Sequence, residues 1–174
     1  IGAYPGTNLC YLAKRFKYYP VGIEFSEYCD HIEKLLKFNG IENFKVLKQD
    51  FFEPVDMKFD VVTSFGFIEH FENYEAVIGR HVELLNPGGY LVMSCPYLGN
   101  FQGKLRELVY TEEKLGQILS SHNQKIMNLD EIKRVLSKYE MDICFSDFIM
   151  GNAIWLDPDA DYIKPEMRWL VHYL

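Results

Sequence analysis

The sequence contains no uninterrupted apolar run near the roughly 20 residues that a membrane-spanning helix needs, so a membrane-embedded chain is excluded. Its cysteines (Cys10, Cys29, Cys95 and Cys144) form no CxxC pair and have no histidine beside them at metal-ligand spacing. A disulfide framework and a zinc site both require clustering, so the expectation is free, mostly buried thiols in a reducing cytoplasm, and no metal. Internal repeats, low-complexity tracts and Pro/Ser-rich linkers are all lacking, which leaves no visible domain boundary in 1–174. Positive charge is in short supply: 18 Lys and Arg stand against 25 Asp and Glu, for a net charge of −7. Such a surface repels phosphate backbones and argues against nucleic acid as a partner. The best local basic run, Lys14-Arg15-Phe16-Lys17, is short and reads as the solvated end of a helix.

What is present is a globular composition of 174 residues, 48% hydrophobic and 25% charged. Aromatics reach 16%, with 13 Phe, 12 Tyr and 2 Trp, enough for a large core and an aromatic-lined pocket. Short β-like runs alternate with amphipathic stretches. Pro20–Phe25 is a short apolar strand; Ser26 is the expected cap of a helix with Ile32, Leu35 and Leu36 on one face. Phe44–Gln49 alternates like a half-buried strand, and Phe59–Phe65 is more fully apolar. Asn73 is placed to cap a helix carrying Val77, Ile78, Val82 and Leu85, which Asn86-Pro87-Gly88-Gly89 should break before a strand at Tyr90–Cys95.

Residues 97–127 lose this regularity, except for a short helix predicted after Thr111, with Glu112 and Glu113 in its first turn. Asn128-Leu129-Asp130-Glu131 reads as a capping-box-like start to a stripe of Leu129, Ile132, Val135, Leu136 and Tyr139. A last strand is expected at Asp142–Ile149, then a Pro/Asp-rich loop from 151 and a helix from about Pro165. This rhythm predicts an α/β chain: a Rossmann-like, doubly wound, mainly parallel sheet with helices on both faces. Ligands of such sheets bind outside the carboxyl ends of the strands.

Four strand ends carry distinctive residues. Ile1 to Asn8 holds a Gly2/Gly6 turn leading into a helix, where the backbone can pass close to a ligand beside free N–H donors. Glu24 ends the next strand, where a carboxylate can accept the hydroxyls of a ribose. Asp50 follows the third with Phe51-Phe52 behind it, a carboxylate and an aromatic suited to the edge and face of an adenine ring. Ser64-Phe65-Gly66-Phe67 ends the fourth and leads to Ile68-Glu69-His70-Phe71. Each is ordinary alone; their succession at consecutive strand ends points to a nucleotide-like ligand.

These residues resemble the class I S-adenosylmethionine-dependent methyltransferases over nearly the whole chain. Ile1-Gly2-Ala3-Tyr4-Pro5-Gly6 is similar to the family's glycine-rich first motif, and Gly22-Ile23-Glu24-Phe25-Ser26 to its ribose-binding acidic motif. Gln49-Asp50-Phe51 resembles the adenine loop, Phe67–Phe71 the Glu-His signature, and Leu85–Val92 the motif leading to the fifth strand. The resemblance implies one methyltransferase-like domain over 1–174, with S-adenosyl-L-methionine held by Gly2, Ala3, Tyr4, Gly6, Glu24, Phe25, Asp50, Phe51, Ser64 and Phe65. Tyr4 departs from the family's middle glycine and offers an aromatic face to a sulfonium or the adenosine, or a small lid. The resemblance also places Ile1 at the end of a first strand, so that preceding residues, and a further strand after Leu174, are expected.

Methyl transfer from a sulfonium needs mainly alignment and exclusion of water, and a base where the acceptor is a hydroxyl. His70 and His122 are the candidate bases, each with a structural, hydrogen-bonded reading beside the catalytic one. Glu69 is expected to bond backbone or acceptor, or to be a solvated carboxylate at a helix start; His31 and His81 are expected on the surface. Residues 97–127 occupy the place of substrate-recognition insertions and resemble those of enzymes acting on sugars or other small metabolites. Two readings compete with the enzyme: a non-catalytic adenosyl-nucleotide-binding module of the same fold, and a nicotinamide oxidoreductase. Gly2 and Gly6 do not supply the G-x-G-x-x-G spacing of the latter.

Overall fold

The computed structural model describes residues 1–97, 99–149 and 160–171, so the expected loop from 151 lies largely outside the described residues. The chain divides into two compact units: 1–67 with 79–94, and 68–78 with 95–174. Helix α3 (Tyr74–Glu83) starts in the second and ends in the first.

The first unit carries the strands. β1 (Val21–Glu24) pairs in parallel with β2 (Lys45–Lys48), and β3 (Phe59–Phe65) in parallel with β4 (Leu85–Ser94). Parallel neighbours need a crossover; α2 (Cys29–Phe38) supplies the first and α3 the second. Residues 1–4 run between the pairs. Ile1 N donates to Thr63 O on β3 (2.8 Å), and Tyr4 N donates to the Glu24 carboxylate at the end of β1 (2.9 Å). Behind them, α1 (Thr7–Phe16) buries Cys10 against Ile32 and Leu36 of α2, with Ala3, Leu9 and Val46 packed alongside.

Two expectations shift here. Ser26 does not cap α2: Glu24 Oε1 takes the Ser26 N–H (2.9 Å), which holds 24–26 in a turn, and the helix begins at Cys29 on Tyr28. Leu85 belongs to β4 and not to α3. Phe59 faces Leu85 and Val61 faces Tyr90, so the Asn-Pro-Gly-Gly segment loops out within the strand, with Asn86 Nδ2 bonded to Asp60 Oδ1 (2.8 Å).

The second unit is helical: α4 (Asn100–Val109), α5 (Glu112–Ser120), α6 (Leu129–Leu136) and α7 (Arg168–Val171), with 3-10 turns at Ile68–His70, Gln124–Met127, Ala160–Tyr162 and Pro165–Met167. Thr111 Oγ1 accepts from Lys114 N and Asn128 Oδ1 from Asp130 N, as the two caps require. Leu105, Val109, Tyr110 and Ile163 form a core, closed by a bridge between Tyr110 and Ile163. Helix α4 was not expected. The predicted strand at 142–149 does not form; the segment is exposed, and no described strand pairs with it. A short apolar run makes a strand only where a ladder partner exists. No described helix is long and apolar enough to cross a membrane.

Candidate functional site

In the first unit, a cleft of about 50 Å³ is lined by residues 1–9 with Thr63 and Phe65. Its backbone demands glycine twice. Gly2 has φ 60°, and a Cβ there would stand 2.8 Å from Phe67 Cδ2. Gly6, φ 96°, is the N-cap of α1, which has neither a side-chain cap nor an acidic residue in its first turn. The first amides of α1 therefore have no side-chain partner from the cap. A broader hollow of about 490 Å³ follows α1 through Thr7, Tyr11 and Lys14 to Leu35 and Asn39, but neither Glu24, Asp50 nor Phe65 lines it.

Glu24 is tied to the glycine turn: Oε2 accepts from Tyr4 N and Oε1 from Ser26 N, both at 2.9 Å. Partial burial pushes its pKa up, but the bonds from Ser26 and Tyr4 outweigh this and hold the carboxyl below its ordinary value. Each oxygen keeps a lone pair for a ligand hydroxyl. Gly2, Ala3, Tyr4, Gly6 and Phe65 thus meet at one cleft, with Glu24 joined to it. Tyr4 leans on Tyr28, ring centroids 4.8 Å apart, and on His31 at 5.8 Å.

The other candidates are placed differently. Phe25 is exposed, and Asp50 is exposed with Oδ1 accepting from Phe52 N at 2.7 Å. Phe51 is buried among Phe67 (5.4 Å) and His81 (4.9 Å). Ser64 is buried too, and its Oγ meets His81 Nε2 at 2.9 Å. His81, expected on the surface, is therefore fully buried: its polar edge finds Ser64 while its ring fills the space beside Phe51 and Phe67. His31 is exposed as expected. All four cysteines are free, Cys144 being exposed.

The second unit brings His70 and His122 together, with ring centroids 5.0 Å apart. Asn123 fastens the end of α5 onto residues 69–72: its N donates to Glu69 O (2.6 Å) and its Nδ2 to Phe71 O (3.1 Å) and Glu72 O (3.3 Å). Carbonyls only accept, so His70 Nδ1–H donates to Ser121 O (3.0 Å) and His122 Nδ1–H to Ile118 O (2.7 Å). In the neutral rings both Nε2 atoms then carry free lone pairs.

Glu69 is not solvated but 2% exposed; Oε1 lies 3.8 Å from His70 Nε2, and Oε2 has no hydrogen-bond partner among the described residues. Burial raises its pKa above the ordinary carboxylate value. Burial, helped by the Glu69 charge, pushes the Cys95 thiol up to about 11. Neither the burial of Glu69 nor the role of Asn123 has a local signal, since each depends on a partner about fifty residues away.

Parallel strands joined by helices, with the carboxylate at the end of β1 tied to a glycine turn, give a Rossmann-like α/β fold. A family model described as a methyltransferase domain matches residues 1–143, and the chain belongs to that family. The fold is similar to that of a SAM-dependent methyltransferase from Thiobacillus denitrificans, solved with S-adenosyl-L-homocysteine: 19% identity, 81% of this chain and 68% of that chain covered, TM-score 0.50. PKMT2 from Rickettsia typhi, solved in complex with AdoHcy, matches at 20% identity over 57% of this chain, with a TM-score of 0.47. The chain covers 21% of the length of the Rickettsia protein. No curated protein gives a significant match.

Proposed function

We propose that this chain binds S-adenosyl-L-methionine at the cleft of residues 1–9 and transfers its methyl group to a small-molecule acceptor, a sugar or another metabolite. The observation that carries this reading is the join between Glu24 and the glycine turn, made by Tyr4 N. It puts a carboxylate for ribose hydroxyls beside backbone that tolerates close approach. The bound cofactor supplies a sulfonium-activated methyl group with a good leaving group. The protein's part is to hold and align. Glu24 orients the ribose, Gly2 and Gly6 give the turn its left-handed backbone and its close packing on Phe67, Ile32 and Leu35, the open start of α1 offers N–H donors, and Tyr4 and Phe65 supply aromatic cover. Ala3, Phe25, Asp50, Phe51 and Ser64 complete the proposed set, Phe51 and Ser64 as the packed backing of the loops.

For a hydroxyl acceptor, we assign proton acceptance to the free Nε2 atoms of His70 and His122, and acceptor recognition to 97–127 within a single 1–174 domain. The net charge of −7 supports a small molecule over nucleic acid as acceptor, and the free cysteines support a cytoplasmic setting. The test is calorimetry and thermal shift with S-adenosylmethionine, S-adenosylhomocysteine and NAD. Binding of both adenosyl ligands and not NAD is expected. Stabilisation by neither adenosyl ligand overturns the reading.

A further inference from the structure

We propose that Glu69, His70 and His122 form a binding site for a divalent transition-metal ion of the Zn²⁺ type. One ligand atom from each lies within 4.8 Å of the others. A tetrahedral ion with bonds of about 2.0–2.2 Å needs such atoms about 3.4 Å apart, so a side-chain closure of little more than an ångström completes the set.

Three features make this more than proximity. First, the imidazoles are already in the ligating tautomer. Each directs Nδ1–H to a backbone carbonyl, Ser121 O for His70 and Ile118 O for His122, where Ser121 Oγ also lies 2.9 Å from Nδ1, and this leaves the Nε2 lone pair for an ion. That is the outer arrangement by which metal-bound histidines are usually held. Second, Glu69 is buried with Oε2 unpartnered, a costly state for a carboxylate that a cation would relieve. Third, the geometry is enforced from outside the cluster, by the three bonds of Asn123 to residues 69, 71 and 72.

Two imidazoles and one carboxylate suit zinc and its neighbours better than Mg²⁺ or Ca²⁺, which take mainly oxygen. Three protein ligands leave a fourth position for water or an acceptor oxygen. The half-exposed His70 side chain opens the site to solvent. With an ion bound, both Nε2 atoms are ligands, so the proton-accepting role assigned above belongs to the ion-free cluster. The inference otherwise stands apart from the adenosyl-cofactor reading.

The test is calorimetric titration of the chelator-treated chain with ZnCl₂, repeated for Glu69→Gln and His122→Ala, together with the visible spectrum of the Co²⁺ form of the wild type. One equivalent should bind. Each substitution should weaken it by more than about tenfold, the scale on which even the outer partners of a ligating histidine act. No binding, or binding undiminished in both variants, overturns the site. So does an intense thiolate-to-metal band in the Co²⁺ spectrum, which would put the ion on cysteine. The Co²⁺ spectrum of the wild type decides the matter even where a variant fails to fold. Thermal shift with S-adenosylhomocysteine, run in parallel, reports the cofactor reading separately.

Discussion

In the first unit α1 begins on Gly6 and α2 on Tyr28, and neither N-cap residue lends a side chain to its helix amides; in the second, Thr111 closes α5 and Asn128 closes α6. Helix α4 of the second unit begins on Gly99 without such a cap, so the division is a tendency and not a rule. A capped start satisfies one of the orphan amides and stabilises the helix by about 1 kcal/mol. The start of α1 forgoes that stabilisation, and it lies on the cleft lined by residues 1–9. On the proposed reading, the contrast separates helices closed for stability from a helix start that serves the cofactor. Glu24 shows the same economy: its carboxylate is held chiefly by the backbone N–H groups of Tyr4 and Ser26, which leaves it capacity for further acceptance.

The sharpest way to break this contrast is Glu24→Ala. The change removes the ribose acceptor and leaves the amides of Tyr4 and Ser26 without their partner. Hydrogen bonds to a charged group contribute about 1.5–3 kcal/mol each, so the Kd for S-adenosylhomocysteine should rise about 100-fold by calorimetry. Unchanged affinity would remove the ribose role. Next comes Gly2→Ala. The methyl would enter a left-handed backbone and meet Phe67 Cδ2 at 2.8 Å. Strain of this kind costs about 2 kcal/mol. The melting temperature should fall by several degrees, with weaker cofactor binding. A variant as stable as the parent would show that the turn at Gly2 adapts freely.

How much of this was legible beforehand also divides by unit. Phe59–Phe65 is a strand over the predicted residues, and Glu24 and the glycine turn stand where periodicity and turn chemistry put them. Those signals are local: one repeat of side chains, one break, one carboxylate at a strand end. The second unit withheld more. His122 meets His70, and Asn123 meets Phe71, across about fifty residues, so no window of sequence contains either contact. His81 misled because a histidine on a helix is read as solvated, whereas here Ser64 and two phenylalanines bury it completely. The segment 142–149 misled for the opposite reason, its apolar residues suggesting a strand while no described strand pairs with it.

A smaller effect tests the closed side of the contrast. Asn128→Ala removes the bond from Asp130 N at the start of α6 and should lower stability by about 1 kcal/mol in urea melts. Affinity for S-adenosylhomocysteine should not change. A loss of affinity would show that the capped helices also serve the cofactor, and the contrast would fail.

The smallest effect is a shift with pH, and it follows from a carboxylate held low in each unit. Glu24 is held below its ordinary value by backbone N–H groups, as above. In the second unit Glu131 is bonded by Arg134 and by Tyr74 Oη, which lower its pKa to about 2. Arg134 also bonds Glu75, itself held low by Lys138 and Arg134. In the unfolded chain these glutamates titrate near about 4.3. Between that value and 2 the unfolded chain binds the proton that the folded Glu131 refuses, so the stabilisation is whole above about pH 5 and drains away as pH falls toward 2. Glu131→Gln removes this share and leaves that of Glu24. Its melting temperature should therefore fall less than that of the parent between pH 5 and 3. Because the pairs lie at the surface, salt should shrink the difference. Equal slopes for variant and parent would mean that the network contributes nothing, and that acid acts on the chain chiefly through Glu24 and its neighbours.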